Sequence, residues 1–353
     1  MALKNWRACL VRETDSIMDT LRVIDQAALQ VACVVTGEDI LCGIVTDGDV
    51  RRAILRGTDM HQPVSTIANQ HPVVFHTTDE KSYIISVMKR KGISEAPIVD
   101  QVGHVVDLLT LETLLSAPER DNIVVLMAGG LGTRLRPLTD KVPKPLLKVG
   151  SKPILQTILE SFIENGFHRF YFSVNYKAEM IEQYFGDGSR FGVEIHYIHE
   201  RKRMGTAGAL YFLPEKVQQP IIVMNGDLLT KLDFGTFLDY HAEQGAAATM
   251  AVREYTYTVP YGVIDYDGER ITNIQEKPTQ SFYVAAGIYA LSPEAVACVD
   301  KEAFFDMPDL FNQLIHENRK TTIFPIRDYW MDIGRLDDFH QAQNDYGSMF
   351  ENK

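Results

Sequence analysis

The chain has 353 residues, 45% hydrophobic and 23% charged, a composition that suits two or three globular domains and excludes disordered and fibrous classes. Its formal net charge of −12 argues against a nucleic-acid binder, whose footprint is basic. No apolar run approaches the roughly 20 residues of a membrane span, Met1–Arg7 lacks the apolar core of a signal peptide, and four cysteines without a C-x-x-C pair point to a reducing, cytoplasmic setting.

From the N-terminus, the first 118 residues carry an internal repeat. Thr14-Asp15 matches Thr78-Asp79, Ala32-Cys-Val-Val35 matches Ala96-Pro-Ile-Val99, and Ile44-Val-Thr46 matches Leu108-Leu-Thr110, all at an offset of 64 residues. Each copy reads helix, strand, strand, helix. In the first, Ser16 caps a helix whose apolar face is Ile17, Leu21 and Ile24. Residues 31–35, with Cys33 as core, and 40–45 are strands, and a helix starting at 47–49 carries Val50, Ile54 and Leu55. In the second, Asp79 is the expected cap, and Tyr83, Ile84, Val87 and Met88 form the stripe. One copy alone buries little, so the two, about 1–62 and 63–118, are expected to pack into one small α+β domain.

The string Gly43-Ile-Val-Thr-Asp-Gly-Asp-Val50 resembles the signature of CBS domains, and the duplication resembles a tandem CBS pair. That resemblance implies an adenine-nucleotide site in the first copy, with Thr46 at the phosphate and Asp49 at the ribose. A hydroxyl at a helix N-terminus and a carboxylate against a diol suit those tasks. In the second copy Thr113 stands where the acid belongs and Asp107 replaces Gly43, so at most one adenosine site is expected. A dimerising module without ligand is the competing reading, and a homodimer or higher homo-oligomer is expected.

A polar linker, residues 116–121, contains Pro118, which disfavours helix continuation, and divides residues 1–118 from 119–353. Strand candidates follow at 123–127, 169–174, 193–198, 221–224 and 247–252. A helix at 153–164 presents Ile154, Leu155, Ile158, Leu159, Phe162 and Ile163, and Asn165-Gly166 ends it. Strand–helix–strand units predict an α/β fold with a mostly parallel sheet and helices on both faces. His196 and His199 fall on opposite faces of a strand, and His241 and His316 read as solvated helix residues, so no histidine metal site is expected.

The first of these strands runs into Ala128-Gly-Gly-Leu-Gly-Thr-Arg-Leu-Arg-Pro-Leu-Thr139, then Val142-Pro-Lys-Pro-Leu146. Open α/β sheets bind ligands at the carboxyl ends of strands, and Gly129, Gly130 and Gly132 allow close approach of backbone N–H groups to phosphate. Arg134, Arg136, Lys141, Lys144, Lys148 and Lys152 follow against a single acid, Asp140, so an acidic chain concentrates positive charge in one loop. A polyanionic ligand explains this. Neither a dinucleotide fingerprint nor a Walker A ending is present.

The segment closely resembles the signature of sugar-nucleotide pyrophosphorylases, the sugar-1-phosphate nucleotidyltransferases. Further matches are Met204-Gly-Thr-Ala-Gly-Ala-Leu210, Asn225-Gly-Asp227, Tyr261-Gly262, Glu276-Lys-Pro278, Ala286-Gly-Ile-Tyr289 and Trp330-Met-Asp-Ile-Gly334, spanning roughly residues 122–345. The resemblance implies a Rossmann-like sheet of the nucleotidyltransferase (GT-A-like) type. It implies nucleotide contacts from Leu126, Ala128, Gly129, Gly130, Gly132, Thr133, Gly205, Thr206 and Asp227, and sugar contacts from Gly262, Glu276 and Gly287. Arg134 and Lys144 would face the triphosphate, Lys277 would hold the sugar phosphate, and Asp227 and Asp332 would ligate Mg²⁺. Substrates would be a nucleoside triphosphate and a sugar 1-phosphate, with no membrane or nucleic-acid partner. The fusion most resembles the CBS-bearing glucosamine-1-phosphate guanylyltransferases of legionaminic acid biosynthesis, and Gly205-Thr-Ala-Gly208 is also common in mannose-1-phosphate guanylyltransferases. GTP is therefore favoured, although UTP, dTTP and CTP enzymes share the same residues. A non-catalytic nucleotide sensor is the alternative from another class.

Overall fold

The structure, a computed structural model, describes residues 6–27, 29–200, 202–213, 217–299 and 302–351; residues 1–5 of the stretch read for a signal peptide lie outside these. The chain divides into two compact units, Met1–Pro118 and Glu119–Lys353.

In the first unit, strands β1 (Leu10–Arg12), β2 (Val31–Val35) and β3 (Leu41–Thr46) form one sheet, and β4 (Phe75–His76), β5 (Glu95–Val99) and β6 (Val105–Thr110) form another. Both sheets pair their first two strands parallel and the last two antiparallel, so the sequence repeat is a repeat of topology. All five residues of β2 are buried because its faces serve two cores. Ala32 and Val34 pack with Ile17, Ile24 and Val50 of flanking helices, whereas Val31, Cys33 and Val35 pack with Val105 and Leu108 of the other copy.

Local details differ from the sequence expectations at three points. The helix Asp47–Leu55 buries Val50 and Ala53, leaving Ile54 and Leu55 on its solvent side at 54% and 81% exposure. The helix Lys81–Lys91 has Glu80 at its N-cap; Asp79 instead accepts from the His76 N–H at 2.8 Å and closes the preceding turn. Tyr83 is exposed, edge-on to Phe75.

The second unit is built on β7 (Arg120–Met127), the paired short strands β8 (Lys148–Val149) and β9 (Lys152–Pro153), then β10 (Phe167–Val174), β11 (Glu194–His199), β12 (Ile221–Asn225), β13 (Leu228–Thr230), β14 (Ala248–Thr258), β15 (Gly262–Asp267), β16 (Arg270–Glu276), β17 (Thr279–Leu291), β18 (Thr321–Pro325) and β19 (Trp330–Asp332). Seven form a sheet ordered β11-β10-β7-β12-β17-β14-β18, parallel at every junction except the two made by β17. Helix Ile154–Glu164 covers one face through Leu155, Ile158, Leu159 and Phe162, with Phe162 stacked on Phe234 at 3.7 Å. Helix Met307–His316 covers the other through Leu310, Phe311 and Leu314. Central β7 is apolar on both faces and buried on both, as a parallel strand between two helical layers must be. His241 is not solvated: it is 2% exposed and its Nδ1 lies 2.8 Å from the Thr249 hydroxyl. Among the described residues, no helix is long and apolar enough to cross a membrane.

The sequence reading missed the length of β14 and β17. A bulge falls between the pairs Met250↔Tyr289 and Val252↔Ala285, with Gly287 at φ 72° inside it. Beyond the bulge the two strands leave the sheet together and run on to Thr258↔Thr279, and the β15–β16 ribbon continues from their end.

Candidate active site

β7 ends at Met127, and the loop that follows lies at the carboxyl edge of the sheet, where strand ends leave N–H groups free to meet a ligand. Its path is fixed at Gly132, which sits at φ 61°; a Cβ there would lie 2.8 Å from Thr139 Cγ2, and Thr139 Oγ1 donates to the Gly132 carbonyl at 2.8 Å. Lys177 Nζ donates to the Asp140 carbonyl at 2.6 Å, bracing the far side of the basic loop. Buried Leu135 anchors the turn Thr133–Leu135 and leaves the neighbouring Arg134 exposed.

Asp227 follows β12, and Lys144 Nζ donates to its Oδ2 at 2.5 Å. β13 and β19 pair antiparallel with Leu228 opposite Asp332, which brings the second aspartate beside the first. Burial pushes the Asp332 carboxyl up from its ordinary range, and the neighbouring Asp227 charge adds to this; Lys144 and Arg134 oppose it.

Two adjoining hollows result. One, of about 300 Å³, is lined by Gly129, Glu200, Gly205, Thr206, Asn225 and Phe304 among others. The other, of about 220 Å³, is lined by Gly132, Thr133, Arg134, Lys144 and Gly334 among others. Gly130, Leu131, Arg203 and Asp227 line both, so this is one cleft with two lobes.

The cleft therefore brings together Gly129, Gly130, Gly132, Thr133, Arg134, Lys144, Gly205, Thr206 and Asp227. Asp332 adjoins it through the β13–β19 register. Gly287 abuts it too, since a Cβ there would lie 2.8 Å from Asn225 Nδ2. Leu126 and Ala128 do not line it: they are 0% and 1% exposed, inside the sheet layer. Gly262, Glu276 and Lys277 are exposed and stand beyond the far end of the β14–β17 ladder. At about 3.3 Å per residue, the seven pairs from Val252↔Ala285 to Thr258↔Thr279 carry that end roughly 20 Å from the bulge at Gly287.

Sequence reasoning missed Glu200, Arg203, Asn225 and Phe304. The charged run Glu200–Arg203 just ahead of the Gly205 loop was a usable signal. Glu200 is held by both oxygens: Ser173 Oγ donates to Oε1 at 2.5 Å and the Met204 N–H to Oε2 at 3.2 Å. Thr206 is clasped from 100 residues away, its N–H and Oγ1 donating to Asp306 Oδ1 at 2.8 and 3.1 Å.

The site's capacity for a cation follows from its donors. Among the described residues no cluster of three or more His, Cys, Asp or Glu exists. Asp227 and Asp332 supply two hard carboxylates side by side, one disfavoured as an anion by the other. That set fits Mg²⁺, which binds through one or two carboxylates and completes its shell with water and phosphate oxygens.

In the first unit, Thr46 and Asp49 form a capping box on helix Asp47–Leu55. Thr46 Oγ1 donates to Asp49 Oδ2 at 2.6 Å, and the Thr46 N–H donates to the same oxygen at 2.9 Å. Arg52 holds the other oxygen at 2.5 Å. Thr110 and Thr113 make the equivalent box in the second copy, so this position has a local structural task in both.

Comparison with known proteins supports the two-part organisation. The nucleotidyl transferase family model matches residues 123–349, and the CBS domain model matches residues 9–56 and 64–120. The UTP–glucose-1-phosphate uridylyltransferase of Synechocystis sp. is 34% identical, over 62% of this chain and 61% of its own length. The mannose-1-phosphate guanylyltransferase catalytic subunit beta of Danio rerio is 32% identical, over 61% of this chain and 62% of its own. This chain thus spans about three fifths of the length of the curated relatives it matches. Among solved structures, HddC from Yersinia pseudotuberculosis complexed with GMP-PN is 25% identical with a TM-score of 0.50, covering 64% of this chain and 99% of that one.

Proposed function

The chain belongs to the nucleotidyl transferase family, and on that premise we propose that it transfers a nucleotidyl group from a nucleoside triphosphate to a sugar 1-phosphate. The observation that carries this reading is the convergence of a glycine loop, Arg134 and Lys144 on the adjacent carboxylates Asp227 and Asp332 in one cleft. A phosphate oxygen of the sugar 1-phosphate attacks the α-phosphorus, forming a new P–O bond. The bond from that phosphorus to the bridging oxygen breaks, and pyrophosphate leaves with the electron pair. The nucleophile is already anionic, so the site needs no serine or cysteine and no base. Orientation and charge neutralisation suffice.

The N–H groups of Gly129 to Thr133 cradle phosphate. Arg134 and Lys144 oppose the charge that builds on the leaving pyrophosphate. Asp227 and Asp332 would hold Mg²⁺, which neutralises phosphate oxygens when bound. Glu276 and Lys277 hold the sugar and its phosphate.

Glu200 favours GTP. A fixed carboxylate accepts two adjacent N–H donors, the pattern on guanine's N1–H and N2–H₂ edge; uracil and thymine offer one N–H between two carbonyls, which repel it. Glucosamine 1-phosphate or mannose 1-phosphate is the matching acceptor, for surface-glycan or nonulosonate biosynthesis. The test is pyrophosphate release from a panel of triphosphates and sugar phosphates. GTP with a hexose or hexosamine 1-phosphate should turn over best, and no release with any pair would leave a nucleotide sensor. Glu200→Gln should lower kcat/KM for GTP by about 10- to 100-fold, the scale of one lost charge-assisted hydrogen bond, and narrow the gap to UTP. An unchanged GTP:UTP ratio would remove Glu200 as the base reader.

For the CBS pair, the same mode of reading gives weak adenine-nucleotide binding through the first copy alone. The capping box makes this weak, because a ribose must draw Asp49 away from Arg52.

A further inference from the structure

The β14–β17 arm raises two linked difficulties. None of the residues 254–283 is buried. Ten large apolar side chains between Tyr255 and Tyr283 are exposed, among them Tyr261 and Tyr266 at 75% and Ile274 at 61%. The β15–β16 ribbon is exposed on both faces, and a two-stranded ribbon without a hydrophobic face to cover is marginal in water. With aromatic side chains of about 200 Å² each, more than half exposed, the arm offers on the order of 1,000 Å² of apolar surface. A typical monomer's largest patch is a few hundred Å², whereas a standard protein interface takes about 800 Å² from each partner.

The second difficulty is chemical. The arm carries Gly262, Glu276 and Lys277, the residues read above as sugar-phosphate ligands, yet it holds them roughly 20 Å from Gly287 and the cleft of their own chain. One sugar phosphate cannot touch both. The direction of the arm is set by the bulge between Val252↔Ala285 and Met250↔Tyr289, whose Gly287 is in contact distance of Asn225 in the cleft wall. A bulge of this kind re-aims a strand pair as a unit, so the arm is a projecting lever and not a frayed edge.

We propose that the arm is exchanged between two copies of this chain, so that Glu276 and Lys277 of each copy complete the sugar-phosphate site in the cleft of the other. A two-fold axis resolves both difficulties at once, because an isologous pair covers each arm with the other copy and supplies each cleft with the missing residues. The occupant is a second copy because only a chain with the same triphosphate cleft gives Lys277 something to act on. This rests on the nucleotidyl transfer proposed above.

The test uses two full-length variants, Lys277→Ala and Arg134→Ala, both at exposed side chains. Each homodimer should lose about 100-fold or more in turnover, the scale of removing one positioned charge. The two chains are co-expressed with different tags, and the mixed dimer is purified through both. In the mixed dimer one cleft lacks both groups and the other lacks neither, so about half of wild-type activity should return. A mixed dimer as inactive as its parents would show that each arm serves its own cleft and would overturn the exchange. A monomer by sedimentation at assay concentration would overturn it too. Wild-type turnover in either variant homodimer would instead overturn the assignment of that residue to the site, a failure visible before any mixing.

Discussion

Lys144 is 7% exposed and its ammonium meets Asp227 at 2.5 Å, so the two side chains hold each other as much as any substrate. Asp227→Asn removes a metal ligand and also leaves a buried ammonium facing a neutral amide. Turnover should fall by about 100-fold or more, and stability by about 1–3 kcal/mol, read by denaturant titration; wild-type turnover at saturating Mg²⁺ would show that Asp227 is not a ligand. Asp332 gives the opposite stability effect. Its folded carboxyl titrates above its unfolded one, because of burial first and Asp227 second. The folded state therefore binds the proton more tightly, and this group costs stability once the pH exceeds the unfolded value. Asp332→Asn should abolish turnover while raising Tm at neutral pH, and the gain should shrink as the pH falls into the range where native Asp332 protonates. A lower Tm at pH 7 would show that Asp332 is stabilised by its neighbours and not strained by them.

At the scale of elements, the capping boxes separate structure from recognition. Thr46 with Asp49 and Thr110 with Thr113 close the same N-terminal turn in the two CBS copies, but only the first offers a carboxylate. Asp49→Ala and Thr113→Ala should therefore cost their helices similar amounts, about 1 kcal/mol each. Only Asp49→Ala should abolish the heat of AMP or ATP binding by calorimetry. If wild-type protein gives no heat with millimolar nucleotide, the capping box is the whole explanation of the signature and the pair is a dimerising module.

The whole molecule has separate cores for its two units: residues around Ile17, Val34 and Val50, or Phe75 and Met88, in the first, and the two layers about the seven-stranded sheet in the second. Residues 119–353 expressed alone should thus be soluble and release pyrophosphate at a rate within a few-fold of the full chain. Insolubility, or loss of activity, would show that the second unit depends on the first for its fold or its chemistry.

Period-2 and period-3.6 patterns and the long apolar runs placed β7, β10, β11 and β12 and the helix Ile154–Glu164, because each buries a face that its own sequence writes out. The phosphate loop was legible for the same local reason: glycines and cations adjacent in the chain act on one ligand. Pattern could not show the fate of His241, since a helix turns a polar residue inward when a hydroxyl such as Thr249 waits there. Nor could it find Glu200, Asn225 and Phe304, which gain meaning only where strand ends from three places in the chain meet. The arm is the clearest division. Its residues alternate like any strand, but whether β14 and β17 stop at the sheet or project beyond it depends on a bulge at Gly287 and its fit against Asn225, a contact between segments about 60 residues apart. Sequence determined the chemistry that residues 262, 276 and 277 can perform; tertiary structure decided that they stand away from the cleft of their own chain.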